Sequence, residues 1–96
     1  MKHKLIMGIQ VIPHTDDFYA TVDRAIAEID KSGLRYEVCP METVIEGEID
    51  ELMEVAKRAH RACLEAGAKS VITHIKLAER EAEQDITIDG VMGKYR

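Results

Sequence analysis

Between Gly33 and Ile49 the chain compresses two short strand patterns, a proline-marked connection and the acidic start of a long helix into seventeen residues. Leu34, Tyr36 and Val38 alternate with Arg35 and Glu37, the period-two pattern of a half-buried strand. Cys39-Pro40-Met41-Glu42 then connects to Thr43-Val44-Ile45, which is β-branched throughout and reads as a second strand. Gly47 closes that strand and releases the chain into a helix. A hairpin framed by two amphipathic helices leaves few architectures open.

The flanking segments narrow the choice. Lys4 to Ile12 places Leu5, Met7, Ile9 and Val11 on one face and Ile6, Gly8, Gln10 and Ile12 on the other, with Pro13 expected to stop the strand. Apolar side chains on both faces suit a central strand, or a sheet covered by a partner. Asp16 and Asp17 sit where a helix accepts capping and negative charge. Phe18, Val22, Ala25, Ile26 and Ile29 follow at helical spacing, and Gly33 provides a left-handed terminator.

After the hairpin, Ile49, Leu52, Met53, Ala56, His60, Cys63 and Leu64 form the expected stripe of a second helix that ends at Gly67. Its acidic first half (Glu48, Asp50, Glu51, Glu54) and basic middle (Lys57, Arg58, Arg61) complement the helix dipole. Ser70 to Leu77 alternates Val71, Thr73, Ile75 and Leu77 against Ile72, His74 and Lys76, a fourth strand. A charged surface segment, Glu79 to Asp85, precedes a short helix marked by Ile88, Val91, Met92 and Tyr95, with Thr87 as its cap. Gly90 and Gly93 each weaken that helix by roughly 1 kcal/mol relative to alanine, so it must dock on its own domain or on a neighbour.

Strand, helix, strand, strand, helix, strand is the ferredoxin-like βαββαβ order: an α+β sandwich with a four-stranded antiparallel sheet and both helices on one face. Residues 1–96 suffice for one such domain and are too few for two. The other sheet face would present Ile6, Ile12 and Ile72 beside Gln10, Glu37, His74 and Lys76. An apolar field seeded with polar groups points to a subunit interface, a ligand site, or both. A homo-oligomer is expected.

Composition excludes several functions. Thirteen basic against eighteen acidic residues, net −5, argue against nucleic acid, whose phosphates require a basic face. No apolar run approaches the ~20 residues of a membrane span. The basic start, Met1-Lys2-His3-Lys4, is followed by an apolar stretch broken at Gln10 and Pro13 and lacks a small-residue cleavage site, so cytoplasmic residence is expected. His3, His14, His60 and His74 show no ligand spacing, and no metal centre is expected. Cys39 and Cys63 are too far apart for a C-x-x-C pair; Cys63 lies on a helix stripe and Cys39 at a strand end, with no catalytic signature around it. Of the acids, Asp50, Glu51 and Glu54 read as solvated helix-start charge, whereas Glu46, between Ile45 and Gly47, is positioned to enter a pocket.

Gly33-Leu34, Tyr36, Pro40, Thr43 and Glu46-Gly47-Glu48 resemble the G-L-x-Y…P-x-G-T-x-x-E-G-E core of the small thiamine-binding protein family. The similarity extends to Gly67…Val71-Ile72 and to the Ile86-Thr87-Ile88…Lys94-Tyr95-Arg96 ending. The resemblance implies a ferredoxin-like fold, dimers that pair sheets, tetramers built from two dimers, and non-enzymatic binding of thiamine or its hydroxymethylpyrimidine portion, with no other cofactor. It nominates Thr43 and Glu46 as ligand contacts, Gly47 as the bend and Glu48 as the helix start.

Glu37, opposite the face of Tyr36, and His74, central on the open face, complete the candidate ligand set. Glu42 departs from the family pattern, which has glycine there; a side chain at that point could narrow the pocket or add charge. A structural or regulatory oligomerisation module without a small-molecule ligand is the alternative.

Overall fold

A computed structural model describes residues 3–96; Met1 and Lys2 of the basic start lie outside them. The elements are β1 (Leu5–His14), α1 (Phe18–Lys31), β2 (Arg35–Val38), β3 (Thr43–Gly47), α2 (Ile49–Glu65), β4 (Ser70–Ala78) and α3 (Ile88–Met92). A single-turn 3₁₀ segment lies at Glu81–Glu83 and another at Gly93–Tyr95. The sheet runs β2-β3-β1-β4 with every neighbour antiparallel. That is the expected ferredoxin-like sandwich.

Strand alternation sorts the sheet into two faces. Leu5, Met7, Ile9 and Ile45 turn towards the helices and are buried with Ala25, Ile29, Leu52, Val55, Ala56, Ala59 and Cys63. Burial pushes the Cys63 thiol pKa up. The second helix buries a different arc from the expected stripe: Val55, Ala59 and Ala62 are inside, whereas Met53 and Leu64 are exposed. Large apolar residues defined the expected stripe, but α2 lies beside α1 as well as over the sheet, and small alanines permit that second approach.

Three boundaries differ from expectation. β1 continues through Pro13 to His14, with Pro13 opposite Val71. Its β3 partners have already ended at Ile9↔Thr43, so at Pro13 the strand has one neighbour and a proline without an amide hydrogen is tolerated. Gly47 belongs to β3 and pairs with Leu5. Neither Asp16 nor Asp17 caps α1 with its side chain. α2 instead has a reciprocal capping box, in which Glu48 accepts from Asp50 and Glu51 amides while the Glu51 carboxylate accepts from the Glu48 amide at 3.2 Å.

Gly33 (φ +75°) and Gly67 (φ +100°) end the two long helices in the left-handed region that favours glycine. Thr87 caps α3 through the Gly90 amide, as anticipated.

The C-terminal segment divides the non-helical face. After β4 it crosses the start of β1, where the Lys4 amide donates to Asp85 Oδ1 at 2.7 Å and the Lys4 carbonyl accepts from the Ile86 amide at 3.0 Å. α3 then lies against β3 and buries Ile88 to 2 % exposure. The β1–β4 half stays uncovered, with Ile12 and Ile72 exposed.

Candidate functional site

An apolar cleft opens where β3 begins. The four-residue Cys39–Glu42 connection is closed by the Cys39 amide donating to the Glu42 carbonyl at 2.9 Å. It stands beside the first turn of α1 and the second half of β1, and the space between them measures ≈ 150 Å³. Ile9, Val22, Ile26 and Ile29 form apolar walls, and Phe18 and Tyr19 stand at the entrance. Their rings meet edge to face, centroids 5.3 Å apart at 89°. Thr43 and Cys39 supply a hydroxyl and a thiol. Thr43 is only 6 % exposed, so its hydroxyl lies at depth in the cleft.

The structure places the four expected ligand residues apart. Thr43 lines this cleft, on the helix face of β3. Glu46 is three residues further along the strand and therefore on the opposite face. There its Oε1 accepts from the Ile88 amide at 2.9 Å and its Oε2 lies 3.4 Å from Lys4 Nζ, leaving the side chain 10 % exposed. Glu46 is thus a fastening for the C-terminal segment, facing a separate recess with Lys4, Arg35 and Asp85.

Glu37 also faces away from the cleft. It joins a ring of charges with Arg35, Asp89 and Arg96: Arg35 lies 3.1 Å from Glu37 and 2.9 Å from Asp89, and Arg96 meets both acids. Arg96 foremost, and then Arg35, hold the Glu37 carboxyl below its ordinary pKa; Arg35 foremost does the same for Asp89. The Arg35 guanidinium is raised in turn by Asp89 and Glu37.

His74 is exposed on the open face, opposite Gln10 in the β1–β4 register. His60 meets Thr73 Oγ1 through Nδ1 at 2.6 Å. Tyr36 packs against the core and donates to Asp30 at 2.9 Å, a bond that raises the phenol pKa.

Glu42 leaves the cleft open. Its carboxylate crosses Gly8 on the non-helical face, where a β-carbon at position 8 would meet Oε1 at 2.4 Å. Both oxygens lie 3.2 Å from Lys76 Nζ. The substituent at the family's glycine position is therefore accommodated by the glycine of the neighbouring strand. Sequence reasoning missed the part of α1 in the site: Phe18 and Tyr19 adjoin the helix start, and only the crossover brings them beside Thr43. The exposure of Tyr19 at 81 % is the signal that an amphipathic-stripe reading discards.

A ferredoxin-like domain with a small apolar cleft under its hairpin connection is the class these features define. A sequence model of the thiamine-binding protein family matches residues 7–96. A UPF0045 protein of Clostridium perfringens is 38 % identical over 92 residues, spanning 94 % of this chain and 95 % of the relative. The solved DUF77 domain from Bacillus cereus superposes with a TM-score of 0.94 at 47 % identity, over 100 % of this chain and 93 % of that one. A candidate thiamine biosynthesis/salvage protein from Thermotoga maritima does so with a TM-score of 0.85 at 34 % identity, over 97 % and 99 %. The chain belongs to the thiamine-binding protein family. No described helix is long and apolar enough to cross a membrane.

Proposed function

We propose that this protein binds thiamine, or a related hydroxymethylpyrimidine, without transforming it, as a cytoplasmic homo-oligomer. The observation that carries the reading is Thr43: a motif residue of the family whose hydroxyl lies deep in an apolar cleft. The aminopyrimidine is flat and carries donors and acceptors on its edge. Apolar walls hold such a ring, while the Thr43 hydroxyl orients it. The cationic thiazolium then lies towards Phe18 and Tyr19, whose ring faces attract positive charge. The cleft lining contains no histidine to serve as a general base beside Cys39.

The uncovered β1–β4 half-face supports the oligomer, because Ile12 and Ile72 gain from burial against a second copy. The same apolar face favours the second reading, a purely structural assembly module. Isothermal titration separates the two. Saturable heat with thiamine and with the free hydroxymethylpyrimidine is expected; no heat with either leaves only the assembly module. Light scattering is expected to give a multiple of the chain mass, and a monomer at micromolar concentration overturns the oligomer.

A further inference from the structure

On the solvent side of the helical layer, remote from the cleft and from the non-helical sheet face, α1 and α2 enclose a groove of ≈ 320 Å³. Arg24 and Lys31 from α1, with Lys57, Arg58 and Arg61 from α2, line it. Its two acids are Glu28 and Glu65. Five of the chain's 13 basic residues and two of its 18 acidic ones are gathered there, so the groove carries +3 against −8 for the rest of the chain. Such segregation opposes the overall charge, and a concave cationic strip focuses anions towards itself.

Local pairing leaves part of this charge unspent. Lys31 meets Glu28 at 2.9 Å, and Lys57 and Arg58 share Glu54 at 3.4 and 3.9 Å. Arg24 and Arg61 have no ion-pair partner among the described residues. Guanidinium groups bind carboxylates, as they do phosphates, through two parallel hydrogen bonds, so this free pair suits an anionic partner. The small side chains of Ala27 and Ala62 line the groove between the cations and admit close approach of a polypeptide.

We infer that the α1–α2 groove is a docking surface for an acidic segment of a partner protein. The groove lining has no aromatic ring on which a base could stack, which disfavours single-stranded nucleic acid. A second copy is disfavoured by symmetry. A two-fold contact centred on the groove would set cation against cation, and any other would need an acidic patch of the same chain opposite the groove. Both helices lie on the face opposite the one that sheet pairing would cover, so the groove remains accessible in an oligomer built that way.

The test is fluorescence anisotropy of a labelled octaglutamate peptide with the full chain at low salt. Saturable binding is expected, weakened about tenfold by physiological salt and at least as much by the double variant Arg24→Glu, Arg61→Glu. Arg24→Ala with Arg61→Ala is the milder companion, expected to weaken binding less, and unchanged circular dichroism shows that both variants remain folded. No peptide binding, or binding indifferent to both double variants, overturns the proposal. Tighter binding of oligothymidylate or inorganic polyphosphate than of octaglutamate also overturns it. Self-association that disappears with the charge reversal would assign the groove to a second copy instead.

Discussion

The two ends of β3 carry residues of the same family motif, yet they do opposite work. At one end Thr43 looks towards the helices into a cleft that remains open. At the other, Glu46 looks away from the helices and is covered by the chain's own C-terminal segment, which its carboxylate and Lys4 help to secure. Side chains three apart on a strand lie on opposite faces, roughly 10 Å apart along it. Motif membership therefore does not imply a shared ligand. One end of the strand is available for recognition; the other closes the fold.

Substitutions at the closed end sharpen this contrast most. Ile88→Ala removes the buried apolar anchor of α3 and is expected to cost about 2–4 kcal/mol in urea unfolding, with thiamine heat preserved once the protein is folded. Glu46→Ala leaves the Ile88 amide without its acceptor and is expected to cost roughly 1–2 kcal/mol, again without weakening the ligand. An affinity loss in Glu46→Ala larger than its stability loss would erase the distinction between the two ends.

At the open end the pattern reverses. Thr43→Val preserves shape and deletes a hydroxyl, so the expected loss is about fivefold in thiamine affinity with little change in stability. Equal affinity in the variant would break the comparison from this side.

Acid gives the smallest and most local effect. Glu37 and Asp89 have pKa values depressed below their ordinary 4.5 and 3.8. Their contribution is complete above those values and is lost as the pH falls through the depressed ones. Hydrogen exchange over residues 86–96 is therefore expected to accelerate, relative to the intrinsic rate, below about pH 4, before the core opens. High salt should act in the same direction, because these charges are exposed. Core opening in advance of this segment would contradict its independent fastening.

The architecture was legible because alternation in Leu5–Val11 and in Leu34–Val38, with helical spacing at Phe18–Ile29, reports one-dimensional periodicity directly. Pro13 misled because its tolerance depends on where another strand ends, a fact held in the β1–β3 register. The site was legible in part. Thr43, which lines the cleft, could be named from its motif as a candidate, whereas the contacts of Glu46 and Glu37 depend on a C-terminal segment some forty to sixty residues downstream. Their partners Ile88, Asp89 and Arg96 supply no local signal at the hairpin. Glu42 likewise becomes intelligible only beside Gly8 and Lys76 of neighbouring strands.

Amide chemical-shift mapping of the isotope-labelled protein during titration with thiamine tests the central claim most directly. The largest perturbations are expected at Tyr19, Cys39, Met41 and Thr43, with Lys4, Glu46 and Ile88 little changed. Perturbations concentrated instead on Lys4, Glu46 and Ile88 would place the ligand at the closed end of β3 and contradict the account.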